Sequence, residues 1–419
     1  MEHPSDDLIY DWNEVGRRHA PFGAVEFFDE TLRDGLQNPS VRDPSIEEKL
    51  ELIHLMDRLG IHAADIGLPG STKRAYDDVL RMCQEIVSAK LKIRPAAAGR
   101  TVVADIAPMA DISQKVGIPL EVYTFIGSSP IRLYAEGWDV DRLLKASAEA
   151  IDFGVKHGLP VAYVTEDTIR SRPEVLSALF KNAVDHGAAR LCLCDTVGHA
   201  TPDGVRNLVR FTRSLLAGMG AHHVKVDFHN HNDRGLGLVN ALIAVEEGVD
   251  RVHGTAGGIG ERVGNTAMEL ILLNLKLAGA LEHQDLTALI RYCEVASKAT
   301  GMPIPVNYPV VGADAFRTST GVHAAAIIKA QAKGDAWLAD RIYSGVPAGM
   351  FGRAQEIEIG PMSGASNVQH WLRAHRVEPD APLVQEILKR AKGESRVLTT
   401  EEVLAAVSDY RAGAAGAGA

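Results

Sequence analysis

The sequence predicts an α/β fold, a (β/α)8 TIM barrel with a mostly helical C-terminal extension. Three observations carry that expectation. Eight short β-branched or apolar runs recur between residues 25 and 256. Amphipathic stretches of helical length lie between them, several ending in glycine, as helix C-termini commonly do. The runs are apolar throughout rather than alternating, as in parallel strands buried on both faces. A doubly wound open sheet is the competing arrangement. It usually uses fewer strands and carries a glycine-rich phosphate loop after the first, whereas here that loop reads DETLRDG.

The first run is VEFFD (25–29), followed by the helical stretch SIEEKLELIHLMDRLG (45–60). AADIG (63–67), KIRPAAA (92–98) and LEVYTF (120–125) come next, then the helix VDRLLKASAEAIDFGVKHG (140–158). PVAYVT (160–165) precedes the helix PEVLSALFKNAVDHG (173–187). ARLCLC (189–194) and VKVDFH (224–229) are the sixth and seventh runs, and RGLGLVNALIAVEEG (234–248) leads to the eighth, RVHGTA (251–256). The barrel is expected over 25–285, after an N-terminal segment at 1–24. LTALIRYCEVASKATG reads as a helix, and the Pro-rich PIPVNYPVVG marks a boundary. Residues 286–410 are expected to form a mostly helical C-terminal part with one short strand at QEIEIG, and 411–419 a disordered tail.

Composition narrows the function. Hydrophobic residues make up 46%, ordinary for a chain with a sizeable core. A net charge of −10 argues against nucleic acid or anionic lipid as partners, which favour basic surfaces. No apolar run of about 18 residues appears, so no membrane span is expected. The N-terminus is acidic and lacks a signal-peptide pattern. Four cysteines make no disulfide framework, and the cytoplasm is the expected location. Cys192 and Cys194 read as small apolar fillers of a buried strand rather than a metal pair.

Active sites of such barrels form at the C-terminal ends of the strands. Polar residues collect there: Arg33 and Asp34, Glu166 and Asp167, Asp195 and Thr196, the string HNHND, and GGIGERVGN. His229 and His231 are two apart, which puts both imidazoles on one face of an extended chain. Alone the pair is equally compatible with hydrogen-bonded structural histidines. In a closed barrel, however, strands 7, 8 and 1 are neighbours, so these histidines would converge with Asn265 and Asp34. Such nitrogen and oxygen ligands favour Mg²⁺ or Mn²⁺, and Zn²⁺ also fits. Each feature has a structural alternative: an Arg33–Asp34 salt bridge, a helix N-terminus at Glu166–Asp167, an N-cap at Asn265.

DETLRDGLQ, HNHNDRGLG and GGIGERVGNTAMELI resemble the signatures of the DRE-TIM metallolyases, within which the chain looks most like 2-isopropylmalate, homocitrate and citramalate synthases. The resemblance runs from about Phe27 to Lys329. It implies that Asp34, His229, His231 and Asn265 bind a divalent metal and that Arg33 stabilises developing negative charge. It further implies that Thr196 holds a substrate carboxylate and that Glu166 assists proton transfer. TGVHAAAIIK would supply a catalytic histidine, His323, commonly delivered by the partner subunit of a homodimer, with Tyr343 as a candidate companion. Gln37 is a candidate substrate contact, and Arg100 is one for an acidic substrate side chain. The implied reaction is a Claisen-type condensation of acetyl-CoA with a 2-oxo acid. A hydroxymethylglutaryl-CoA lyase would carry a cysteine in the loop TAGGIGERVG, which has none. Aldolases match the motifs less well, and a non-catalytic regulatory paralogue would be expected to lack a ligand. Leu68, Pro69 and Gly70 suggest an apolar substrate site. Pro361, Met362 and Ala365 depart from the Gly-Lys-x-Ser-Gly-Arg pattern of isopropylmalate synthases. The chain also ends about where their regulatory domain begins, so activity indifferent to leucine is expected.

Overall fold

The computed structural model describes residues 8–13, 15, 16 and 22–417, so most of the expected N-terminal segment lies outside the described residues. Eight parallel strands close into a barrel in sequential order. They are β1 (Glu26–Asp29), β2 (Ala63–Asp65), β3 (Arg94–Arg100), β4 (Glu121–Gly127), β5 (Val161–Glu166), β6 (Arg190–Asp195), β7 (Lys225–Asn230) and β8 (Arg251–Gly254). Closure is direct: β1 pairs with β8 from Glu26↔Arg251 to Asp29↔Gly254.

The connecting helices are α1 (Ile46–Arg58), α2 (Lys73–Ser88), α3 (Val103–Val116), α4 (Pro130–Glu136), α5 (Val140–Lys156), α6 (Pro173–Asp185), α7 (Pro202–Gly218), α8 (Gly237–Glu246) and α9 (Met268–Leu277). Their starts follow local chemistry. Ser45 and Glu48 form a reciprocal capping box on α1, and Thr72, Ser129, Asp139 and Thr201 accept from backbone N–H groups in the first turns of α2, α4, α5 and α7. Proline opens α4, α6 and α7, where its missing N–H costs nothing.

One face of each strand packs outward on the helices and the other fills the barrel. The interior cluster joins Phe28, Ala63, Ala96, Ala98, Tyr123, Ala162, Cys192 and Cys194. Burial on both faces is why the strands read as unbroken apolar runs. Cys192 and Cys194 are free thiols in this interior, their sulfurs 3.9 Å apart.

The N-terminal end of the barrel is closed by charge, which the apolar runs do not foretell. Arg251, 1% exposed, reaches Glu121 at 2.7 Å, Glu26 at 2.8 Å and the Tyr123 hydroxyl at 2.6 Å. Arg190 pairs with Asp227 at 2.7 Å and with Glu26 at 2.8 Å. Truncating one member of such a network strands buried charge. Arg251→Ala should therefore lower unfolding stability by about 3–5 kcal/mol, read as a drop in the denaturant midpoint. An unchanged midpoint would show that the network is not structural.

The chain divides into two compact units, one reaching Asp285 and including Arg291–Pro303, the other comprising Leu286–Ile290 and the chain from Ile304 onward. Helix α10 (Leu289–Thr300) thus belongs mostly to the barrel unit. The second unit contains α11 (Gly321–Ala332), α12 (Ala336–Ala339), α13 (Ala365–Ala374), α14 (Ala381–Gly393) and α15 (Thr400–Ala417). Its core includes Trp371, Leu372, Leu383 and Ile387. The expected strand at QEIEIG is β10 (Glu356–Ile357), which pairs in parallel with β9 (Arg317–Thr318). Helix α15 continues through Ala417 where a disordered tail is expected from 411, because alanine, the best helix former, dominates the stretch. Residues 418 and 419 lie outside the described residues. No helix among the described residues is long and apolar enough to cross a membrane.

Candidate active site at the C-terminal end of the barrel

Strand β1 ends in a buried aspartate, and its chemistry shapes the turn that follows. The Asp29 carboxylate accepts from the Thr31 N–H at 2.8 Å and from the Tyr292 hydroxyl. Burial pushes its pKa up to about 6, against these hydrogen bonds. The chain then folds back tightly, Gly35 N–H donating to the Glu30 carbonyl at 2.9 Å. That turn aims Glu30, Arg33 and Asp34 at a cavity of about 220 Å³.

Arg33 is held on three sides. Its guanidinium donates to Asp65 at 2.7 Å, Asp34 at 3.0 Å and Glu30 at 2.5 Å. Burial works against its charge, yet these carboxylates raise its pKa above the usual arginine range. Asp65 ends β2 and is fully buried; burial pushes its pKa up to about 6, with Arg33 opposing.

Glu30 is a hub that the sequence reading did not single out. It lies 2.5 Å from His229 Nδ1 and 3.3 Å from His253 Nδ1. Burial opposes charge on Glu30, but His229, His253 and Arg33 hold its pKa well below the ordinary range. The same contact makes His229 Nδ1 the donor to Glu30 and turns Nε2 away from that carboxylate. Burial works against charging His229, but Glu30 pushes its pKa up to about 10. His231 goes the other way, lowered to about 4 by burial and then by His229.

Asp34, His229 and His231 offer one ligand atom each, all within 4.8 Å of one another. A second group, Glu30, His229 and His253, meets the same criterion. His253 does not line the cavity, and Glu30 is occupied by Arg33 and His229. The first group is the one open to a substrate. Asn265 joins it, its Nδ2 donating to Asp34 Oδ2 at 2.7 Å. Its Oδ1 and His231 Nδ1 are buried without a hydrogen-bond partner. A carboxylate, two imidazoles and an unpaired amide oxygen suit a divalent cation.

Glycines seat Asn265. Gly264 has φ 96, and a Cβ there would lie 1.9 Å from the Gly258 carbonyl oxygen. At Gly260 a Cβ would come within 2.3 Å of Asn265 Nδ2. Gly260→Ala should displace the Asn265 amide and weaken Mn²⁺ binding while the barrel still folds, as checked by calorimetric titration and circular dichroism. Wild-type affinity in that variant would show that the loop adapts.

The other strand ends are linked by hydrogen bonds. Thr196 Oγ1 accepts from the Asp167 N–H at 2.8 Å. Arg262 donates to the Thr196 carbonyl at 2.7 Å and to both Asp233 oxygens, at 2.7 and 2.9 Å. Glu166 lines the cavity, with Arg132 Nε 3.4 Å away. Burial raises its pKa, and Arg132 partly offsets this. Gln37 also lines the cavity.

Arg100 does not line it. Its side chain is 70% exposed and forks onto Asp105 at 2.8 and 2.9 Å. His323 lies in the second unit, exposed on α11, and stacks on Tyr343 with ring centroids 4.2 Å apart. Glu30 and Asp65 are the site residues that sequence reasoning missed. The available signal was their position, ionisable groups at the ends of otherwise apolar runs.

The protein is of the TIM-barrel class, a closed eight-strand parallel barrel with a carboxylate–histidine cluster at the C-terminal ends of its strands, where such barrels place their active sites. The chain matches the HMGL-like family over residues 24–295 and belongs to it. It is 32% identical over 384 residues to homocitrate synthase AksA of Methanopyrus kandleri, covering 91% of this chain and 90% of that one. It is 32% identical over 313 residues to 2-isopropylmalate synthase of Halothermothrix orenii, covering 73% of this chain and 59% of that one. Its fold resembles HMG-CoA lyase of Bacillus subtilis, with a TM-score of 0.57, 22% identity, and coverage of 68% of this chain and 97% of that one.

Proposed function

We infer that this chain condenses acetyl-CoA, or another short acyl-CoA, with a 2-oxo acid, giving a 2-alkylmalate-type product and free CoA. The observation that carries this reading is the Asp34–His229–His231 cluster with its Asn265 neighbour, open to a cavity, in a relative of 2-oxo acid-condensing synthases. Asp34, His229, His231 and Asn265 would hold Mg²⁺ or Mn²⁺. When bound, the ion supplies a Lewis acid for the ketone of the 2-oxo acid.

The protein's own groups do the rest. Arg33, locked by three carboxylates, presents a pre-aimed guanidinium to the ketone oxygen as negative charge develops there. Thr196 accepts from Asp167, so its hydroxyl proton is left to donate to the substrate carboxylate. Gln37 offers an amide on the same cavity wall. Glu166, with its raised pKa, takes part in proton transfer. Loss of a methyl proton converts acetyl-CoA into an enolate, whose carbon attacks the ketone carbon. Water then cleaves the thioester and CoA leaves as the thiol.

His323, stacked on Tyr343, is the candidate catalytic histidine, in a homodimeric, cytoplasmic enzyme. His323→Ala should lower turnover by roughly 10²–10⁴-fold with Mn²⁺ affinity intact. Unchanged turnover would remove it from the mechanism.

The reading is tested by following thiol release from acetyl-CoA with a panel of 2-oxo acids and Mn²⁺. Release that needs both substrates supports it. No release with any member overturns it.

A further inference from the structure

We propose that the 2-oxo acid taken by this enzyme is monocarboxylic, with an uncharged aliphatic side chain seated against β3, β4 and β5. The proposal rests on the condensation reading above and deepens it. The curated relatives include both homocitrate and 2-isopropylmalate synthases, so family membership leaves the side chain open.

The argument starts from barrel order. Strands β7, β8 and β1 are neighbours, and they supply His229, His231 and Asp34. Thr196 follows β6, the next strand round. The polar end of a 2-oxo acid held by these groups directs its remaining substituent to the opposite wall. That wall is Ala98 of β3, Tyr123 and Phe125 of β4, and Val164 of β5, with Cys192 and Cys194 of β6 beside them. It offers no cation. The Tyr123 hydroxyl is turned away, bonded to Asp227 and Arg251.

A second carboxylate would need a positive partner, because an unpaired buried charge is costly. Among the described residues lining the cavity, the arginines and lysines are Arg33 and Arg262 alone. Arg33 is held by three carboxylates and its remaining N–H groups are assigned above to the ketone oxygen, while Arg262 is bidentate on Asp233. Of two nearby arginines, Arg100 is forked onto Asp105, and Arg132 is paired with Glu136 at 2.8 Å, its Nε lying 3.4 Å from Glu166 without a hydrogen bond.

The test compares 3-methyl-2-oxobutanoate, 2-oxobutanoate and pyruvate with 2-oxoglutarate. Two readouts are used on the full chain: thiol release from acetyl-CoA, and calorimetric binding of each acid to Mn²⁺-loaded protein. We expect the aliphatic acids to exceed 2-oxoglutarate by about tenfold or more in kcat/KM and in affinity. Ala98→Leu should raise KM for 3-methyl-2-oxobutanoate more than for pyruvate, since it fills the wall. Arg100→Ala should leave the order of preference unchanged. Thiol release that is fastest with 2-oxoglutarate overturns this proposal and leaves the condensation reading standing. Absence of thiol release with every acid ends the condensation reading, and calorimetry still decides the wall's preference. Tighter binding of 2-oxoglutarate there overturns the proposal.

Discussion

Asp34→Asn and His229→Ala will each remove most of the protein's Mn²⁺ affinity. The Asp34 carboxylate faces Asn265 Nδ2 at 2.7 Å and His231 Nε2 at 3.5 Å. Burial opposes its charge, but Arg33 and His229 hold its pKa below the ordinary value, so it is present as an anion. Asparagine keeps the shape but loses the charge, and its amide nitrogen has no acceptor beside Arg33. His229→Ala removes a proposed nitrogen ligand and strips Glu30 of one of its two partners at 2.5 Å, leaving Arg33. Loss of an outer hydrogen-bond partner typically costs 10–100-fold in metal affinity, so loss of a ligand should exceed roughly 100-fold. Electron paramagnetic resonance of free Mn²⁺ during titration reads the change directly. Wild-type binding and turnover in both variants would show that these residues do not hold the ion.

Glu30→Ala should weaken Mn²⁺ binding by roughly 10–100-fold although Glu30 is outside the proposed ligand set. It fixes the His229 ring through Nδ1 and one corner of Arg33. Without it, His229 can rotate and Arg33 keeps only Asp34 and Asp65. Turnover should therefore fall by more than affinity does, because Arg33 is no longer aimed. Glu30→Gln retains one acceptor oxygen but no charge, so its effects should fall between the two. If Glu30→Ala bound Mn²⁺ as the wild type does, the carboxylate would be a spectator.

Of the proposed ligands, only His229 and His231 were legible from local geometry; Asp34 and Asn265 joined them through the expected closure of strands 7, 8 and 1 and through the family resemblance. An H-x-H pair on an extended chain shares a face wherever the strand lies. Arg100 shows where such reading stops. It ends a strand at a barrel mouth, as a substrate-binding arginine would, yet Asp105, five residues on, captures it. Asp65 and Glu30 were visible as ionisable residues, but nothing local revealed that both would close on Arg33. The Arg251 network was hidden for a related reason, since its partners come from β1, β4 and β7.

The order of strands and helices, the residues that cap them and the chemical types at each strand end were determined by the chain's own sequence, because propensity, periodicity and capping act over a few residues. Which charges meet was decided only when β8 paired with β1. Coulombic and hydrogen-bond interactions depend on distance and on exclusion of water. Both are set by closure of the barrel, which brings Asp34 against Asn265 and Glu30 against His229.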